Sequence, residues 1–379
     1  LLWFDPNNDG RLDVIWSGYP HRRNETQKLY IQQADGTFVE NIDAYLRGNL
    51  GNVYAEGSDV ADIDGDGDID FFAYGYLFEN DNGTYVQRCG EMLPGVYCGA
   101  EARNEEGALI EDIDGDGVLD FVMSYHGVGG EIPKYYLQFF RGLAEPPGTL
   151  VREKRFERLF YGYNTYLRAK DFDFNGRADI LMNDPGRLLT LHNGEWLDLM
   201  PAVSSAPSGD FWPLGWLDID EDGDWDFLSV RRADSQVVLF ENTINPKRYV
   251  KISVRGERGV ENQIGATVQI RHPGGRVQVE SYRPMAGYGG VADPRIVVPL
   301  DADRPYEIRA CFASMSEKPK MGLINVAGEK VNVNVLGVEN RCVTYGLNTT
   351  AGAGRVDLTL VAGPTGAIVT QGGAISEQH

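Results

Sequence analysis

Residues 62–70 read "DIDGDGDID", with aspartate at 62, 64, 66, 68 and 70. Carboxylates this close repel one another in a compact fold unless a cation sits among them. Counting from Asp62, the residues Asp62, Asp64, Asp66 and Asp70 stand at positions 1, 3, 5 and 9, and Gly67 at position 6 is free to take a left-handed backbone angle. That spacing suits oxygen atoms wrapped around a hard ion. Calcium accepts about six to eight oxygens in a flexible shell, whereas magnesium keeps its waters, so calcium is the expected ion. Its double charge turns the aspartates from mutual repellers into ligands.

The pattern occurs five times. "DPNNDGRLD" (5–13) offers Asp5, Asn7, Asp9 and Asp13, and "DIDGDGVLD" (112–120) offers Asp112, Asp114, Asp116 and Asp120. "DFDFNGRAD" (171–179) offers Asp171, Asp173, Asn175 and Asp179, and "DIDEDGDWD" (218–226) offers Asp218, Asp220, Asp222 and Asp226. Position 7 (Arg11, Asp68, Val118, Arg177 and Asp224) is expected to contribute its backbone carbonyl, which gives about five calcium ions per chain. Loops 2, 3 and 5 carry four carboxylates among these side chains and are expected to bind more tightly than loops 1 and 4, which carry three and an asparagine. An EF-hand requires a glutamate at position 12 and a following helix. Position 12 is Trp16, Ala73, Met123, Met182 and Ser229, so that reading fails in every copy.

After each loop comes a short apolar run: "VIW" (14–16), "FFAY" (71–74), "FVMS" (121–124), "ILM" (180–182) and "FLSV" (227–230). These runs are too short for buried helices and rich in branched and aromatic residues, so they read as core strands. Successive loops start 57, 50, 59 and 47 residues apart, the period of a repeated supersecondary unit of several strands, and such units are the blades of a β-propeller. Asp35-Gly36, Asn82-Gly83 and Asn193-Gly194 mark hairpin turns in the outer part of three units. Each metal loop is therefore expected to join the first two strands of a blade.

The repeats over residues 1 to about 245 resemble the FG-GAP or VCBS family of integrin-type propellers, which implies calcium loops and an extracellular setting. That family commonly has seven blades, whereas five loops are visible here. Residues 261–290, "ENQIGATVQIRHPGGRVQVESYRPMAGYGG", are similar to the ASPIC/UnbV module that often follows such repeats, through Gly265, Ala266, Val268, Gly287 and Tyr288. The alternation in "TVQIR" and "RVQVESY" argues a half-buried β-domain in its own right. The expected architecture is all-β: a propeller over 1–245, a β-sandwich-like domain over 246–362 and an extended tail over 363–379.

Charge and cysteine usage narrow the function classes. The formal net charge is -21, and five calcium ions would leave it near -11, which disfavours nucleic acid and anionic membrane surfaces as partners. There is no apolar run long enough for a membrane-spanning helix. Cys89 and Cys98 bracket "GEMLPGVY", and Cys311 and Cys342 fall later; the expected pairs are 89–98 and 311–342, as suits an oxidising compartment, with four buried thiols as the alternative. There are five histidines without HExxH spacing, no GxSxG elbow, no P-loop and no CxxC, so no catalytic constellation is visible. His126, beside a glycine-rich loop, and a set of aromatics including Tyr74, Tyr76, Tyr161, Trp212 and Trp216 are the remaining surface candidates, against the alternative that they serve packing. The expected function is a secreted, calcium-stabilised binding or adhesion module for a glycan or an extracellular protein. The alternatives are a subunit of an extracellular assembly, with "AIVT" (367–370) adding to a neighbour's sheet edge, and a polysaccharide-active enzyme.

Overall fold

The computed structural model describes residues 1–16, 28–41, 46–47, 57–73, 75–81, 83–88, 105–126, 135–157, 167–183, 186–203, 211–256, 263–283, 292–300, 304–313, 323–327, 331–339, 341–349, 354–361 and 369–371. Cys89, Cys98, Gly287, Tyr288, Tyr74 and Tyr161 lie outside the described residues, as does the side chain of His126. Among the described residues the chain is all-β apart from one four-residue helix, Met200–Val203. No helix there is long and apolar enough to cross a membrane.

Five small antiparallel sheets follow one another as blades. Blade 1 is a meander of Leu2–Phe4, Asp13–Trp16, Lys28–Gln32 and Phe38–Glu40. Blade 2 runs Ser58–Ala61, Asp70–Ala73, Tyr76–Asp81 and Thr84–Gln87, with Leu46–Arg47 added in parallel at its outer edge. Blade 3 (Glu105–Glu111, Asp120–His126, Tyr135–Leu143, Thr149–Glu157) and blade 4 (Leu167–Lys170, Asp179–Asn183, Gly186–His192, Glu195–Asp198) repeat the four-stranded order. Blade 5 has three strands, Phe211–Leu217, Asp226–Arg231 and Gln236–Phe240. The inner strands of successive blades lie side by side, which is the arrangement of a propeller. The Asn193-Gly194 turn of blade 4 has φ of +51° and +79°, the left-handed pair that matches the twist of a two-residue hairpin.

The apolar runs read from the sequence are the buried strands. Phe71, Phe72, Phe121, Ile180 and Phe227 are all fully buried. Aromatic pairs knit neighbouring blades: Phe4 lies 5.5 Å from Phe71 between blades 1 and 2, and Phe72 lies 4.8 Å from Phe121 between blades 2 and 3. Such pairs contribute about 0.5–1.5 kcal/mol beyond the area they bury. Trp216 and Tyr76 belong to the same packing and are buried, while Trp212 remains 39% exposed.

From Tyr249 onward the chain forms two five-stranded sheets packed as a sandwich. One has the order Ile296–Pro299, Tyr249–Arg255, Arg355–Val361, Leu323–Ala327, Val369–Gln371; the other has Val277–Ser281, Thr267–Arg271, Pro305–Cys311, Cys342–Thr349, Val331–Glu339. Alternate residues point between them: Val250, Ile252 and Val254 from one sheet, Val268, Ile270, Ile308, Ala310, Val343 and Tyr345 from the other. Val369–Gln371, from the stretch expected as an extended tail, pairs in parallel with Ile324–Val326 of the chain's own sheet. Cys311 and Cys342 face each other across two antiparallel strands and form a disulfide, one of the two expected pairs. The bridge closes a separation of 31 residues. In the chain-entropy picture its loss costs about 3–4 kcal/mol. The Cys311→Ser/Cys342→Ser protein should accordingly show a lower denaturation midpoint than the parent; an unchanged midpoint would mean that the sandwich needs no covalent clip.

The sandwich is seated on the end of the propeller that carries the metal loops. One continuous apolar cluster runs from Phe4, Val60, Ile69 and Phe121 of the blades to Val268, Val279 and Tyr282 of the sandwich. Gly265 and Ala266 of the "GATV" stretch sit at this seam. A Cβ on Gly265, whose φ is +92°, would stand 3.2 Å from the Ile69 side chain, and Ala266 is completely buried. A side chain at 265 would press on Ile69 and Val60 of blade 2, and a larger one at 266 would overpack the core.

Candidate metal centres

Each of the five loops is a chain of aspartate side chains folded back on the backbone ahead of them. Position 1 accepts the N–H of the position-6 glycine in every copy: Gly10 to Asp5 (2.8 Å), Gly67 to Asp62 (3.0 Å), Gly117 to Asp112 (3.0 Å), Gly176 to Asp171 (2.9 Å) and Gly223 to Asp218 (3.2 Å). Position 3 accepts from the N–H of position 5, and position 5 from that of position 7, again five times over. These turns are built on the tendency of Asp and Asn to bond the backbone two residues on. The glycine at position 6 has φ between +84° and +98° in all five loops, a region that an L side chain enters only under strain.

The aspartate at position 9 has a second task that the motif alone does not reveal. Asp70 accepts from Ile63 (2.9 Å) inside its loop and from Asn80 (2.8 Å) on the third strand of the blade. Asp120 does the same with Ile113 and Gly142, and Asp226 accepts from Ile219 and from Asn242, two residues past the third strand of its blade. Asp13, Asp70, Asp120, Asp179 and Asp226 are all fully buried. A buried backbone donor left unmade costs about 1–3 kcal/mol, so this carboxylate locks the loop to two strands whatever ion is bound.

In four loops the carboxylates converge. Oxygens of Asp62, Asp64 and Asp66 lie within 4.8 Å of one another, as do those of Asp112, Asp114 and Asp120, of Asp171, Asp173 and Asp179, and of Asp218, Asp220 and Asp226. Asp116 and Asp222, at position 5 of loops 3 and 5, stand in the same turns outside those triads. In loop 1 the chain holds Asp5, Asn7, Asp9 and Asp13 in the same turn geometry, but the Asp9 carboxylate is engaged by the Arg11 guanidinium and by Asn7 Nδ2. Asn175 in loop 4 donates from its amide to Thr190 and accepts from Arg177 N. At position 7, Asp68 pairs with Arg341 at 3.4 Å, the Arg177 side chain reaches the carbonyls of Asp114 and Leu191, and Asp224 Oδ2 accepts from Asn245 N.

A cation is what these residues fit. One oxygen each of Asp62, Asp171 and Asp218 at position 1, and of Asp179 at position 9, is buried with no hydrogen-bond partner. Desolvation, with repulsion from Asp64 and Asp66, pushes the Asp62 carboxyl up to about 7; desolvation also raises Asp112 to about 8 and Asp179 to about 7. Carboxylates so unwilling to ionise, aimed into one another, are satisfied by a hard, oxygen-loving ion that supplies the missing positive charge.

The sandwich covers this face with cations and backbone donors. Arg283 binds both Asp59 of blade 2 and Glu111 of blade 3, and all three are buried. Val279 N and Ser281 N, on the edge strand Val277–Ser281, donate to Asp112 and Glu111 at 3.3 Å each, so propeller carboxylates cover an open sheet edge. Glu280 pairs with Lys170 at 3.2 Å, and Arg276 donates to the Gly176 carbonyl of loop 4 at 3.2 Å. Arg341 reaches Asn8 of loop 1. Over loop 5, Tyr249 donates to the Glu221 carbonyl at 2.6 Å, Arg355 pairs with Glu221, and Lys251 pairs with Asp218. The sequence motif pointed to none of these contacts. Their one visible signal is a charged residue inside an otherwise apolar strand, such as Lys251 in "YVKISVR".

Fold and site together define an all-β chain of propeller blades whose aspartate loops can hold metal ions. An FG-GAP-like repeat family model matches residues 5–73, from the first loop through the strand after the second. No curated protein sequence matches the chain. A solved structure of exo-β-1,3-galactanase from Phanerochaete chrysosporium, with galactose, aligns at 9% identity and a TM-score of 0.31, covering 82% of this chain and 89% of that one.

Proposed function

We propose that the chain is a secreted, calcium-stabilised binding or adhesion module that recognises a glycan or a protein at the cell surface. About five calcium ions serve as structural ties in the blades. The observation that carries this reading is the position of the sandwich: contacts from Val279, Lys251, Arg276 and Arg341 land on the loops themselves. An ion held there has protein on its outer side, which suits a tie and not a substrate site. Recognition then falls to the opposite ends of the same strands. Residues 246–362 are read as an ASPIC/UnbV-like module, on the strength of the "GATV" stretch at the seam, with 1–245 as the propeller and 363–379 as a C-terminal segment whose Val369–Gln371 joins the sandwich sheet. The disulfide Cys311–Cys342 and the calcium loops both favour an extracellular location.

The test has two arms. Metal analysis of protein kept with calcium should find at least three ions per chain, and a glycan array together with binding to intact cells should show retention without cleavage of the ligand. Fewer than three ions, or turnover of an acidic polysaccharide, would overturn the reading.

A further inference from the structure

Loop 5 is the richest of the five in carboxylate, with aspartate at positions 1, 3, 5, 7 and 9 and Glu221 between them. By ligand count it belongs with the tight sites. The structure places a lysine there. Lys251 lies in the middle of Tyr249–Arg255, a strand hydrogen-bonded on both sides, and its register neighbours are Val297 and Asp357. Val250, Ile252 and Val254 point into the sandwich, so Lys251 points the other way, at the propeller. Its side chain is 1% exposed, and its ionic partner is Asp218 Oδ2, the oxygen that also accepts Gly223 N. Asp218 Oδ1, the other oxygen of the same carboxylate, is buried without a hydrogen-bond partner. A lysine in a central strand breaks the local pattern, and such breaks mark sites where another requirement has overridden packing.

We infer that Lys251 is a built-in counter-cation of loop 5, and that it makes this loop fill with calcium at higher concentration than loops 2, 3 and 4. An ammonium on one oxygen of the position-1 carboxylate supplies positive charge that an ion would otherwise supply and repels the ion bound to the other oxygen. In a site shielded from water this repulsion is strong enough to weaken binding by on the order of ten- to a hundredfold. Among the described residues, no such ammonium pairs with the position-1 aspartates Asp62, Asp112 and Asp171 of blades 2, 3 and 4. The corresponding oxygen of Asp112 takes the backbone N–H groups of Gly117 and Val279, and that of Asp171 takes Gly176 N. Ligand count therefore ranks loop 5 with loops 2 and 3, whereas its surroundings rank it below them.

The inference rests on the reading of the loops as calcium sites, and the experiment separates the two. Calcium per chain is measured by metal analysis after dialysis against roughly 0.1 mM free calcium, at the low end of the range of extracellular calcium modules. The chains compared are the intact protein, Lys251→Met, and Lys251→Met combined with Asp220→Asn. The expected result is one more ion in Lys251→Met than in the intact protein, lost again on adding Asp220→Asn. Equal counts in the intact protein and Lys251→Met overturn this inference alone; no calcium in any chain overturns the loop assignment with it. Should Lys251→Met fail to fold, terbium luminescence on the intact chain reads the same point. Trp225 is the tryptophan at position 8 of loop 5, where the other loops carry Leu12, Ile69, Leu119 and Ala178. Terbium emission sensitised through Trp225, identified by its loss in Trp225→Phe, should saturate at least about tenfold later in terbium than the remaining sites. Saturation together with the other sites overturns the inference.

Discussion

Stripping calcium with a chelator should lower the melting temperature by on the order of 10–20 °C, and the loss should grow with pH. Each filled site adds about 2.7 kcal/mol when calcium is a hundredfold above its dissociation constant, and a chain of this size moves about 2 °C per kcal/mol or somewhat less. The pH dependence follows from the carboxylates. In the metal-free fold, desolvation raises Asp62 and Asp179 to about 7 and Asp112 to about 8, from 3.8 in an unfolded chain. Between those limits the folded state holds more protons than the unfolded state, so its stability falls as pH rises. Calcium displaces these protons and reverses the trend. Melting curves in chelator should therefore shift downward from pH 5 to pH 8, while curves in millimolar calcium hold or shift upward. Identical slopes with and without calcium would show that the loop carboxylates are not the calcium ligands.

Replacing Arg283 by methionine should cost about 3–5 kcal/mol, because it leaves two carboxylates buried without their cation. Asp59 and Glu111 are 3% and 5% exposed, and Arg283 is their shared partner across the seam. Burial already raises Glu111 to about 7, with Arg283 offsetting part of that rise. Without the guanidinium the acid would move higher still, and the folded state would take up a proton that the unfolded state releases near pH 4–5. The penalty should thus be largest at pH 8 and shrink as pH falls toward 5. Adding Asp59→Asn and Glu111→Gln to Arg283→Met should restore part of the stability, since neutral amides need no counter-ion. A single substitution costing under about 1 kcal/mol, the range of exposed pairs, would mean that water reaches this seam.

Chemical denaturation of the parent, the single variant and the triple variant separates these outcomes. It also distinguishes a cation that orders the seam from one that decorates it. The calcium and Arg283 experiments address the same face by different means: one removes ions from within the loops, the other removes a cation from above them. If the sandwich and the propeller share one core, as the continuous cluster from Phe4 to Tyr282 indicates, both perturbations should appear as a single cooperative transition.

Much of this architecture was legible in the residues because it is local. A carboxylate at every second position, glycine at position 6 and a short apolar run after position 9 fall within about a dozen residues, and the turns they make close within five. Hairpin turns such as Asn193-Gly194 and the alternation in "TVQIR" are local in the same sense. The double duty of position 9 was not legible, since its second partner lies on the third strand: Asn80 for Asp70, Gly142 for Asp120. Still less so was the seam. Arg283 meets Asp59 across 224 residues of chain, and Lys251 meets loop 5 only because the sandwich turns that face of its strand toward the propeller. A spacing rule registers what one turn of backbone can bring together. Which cation comes to rest over which aspartate depends on how two folded units pack, and that is settled by the shape of their shared apolar surface, to which every residue of the seam contributes and none supplies a motif.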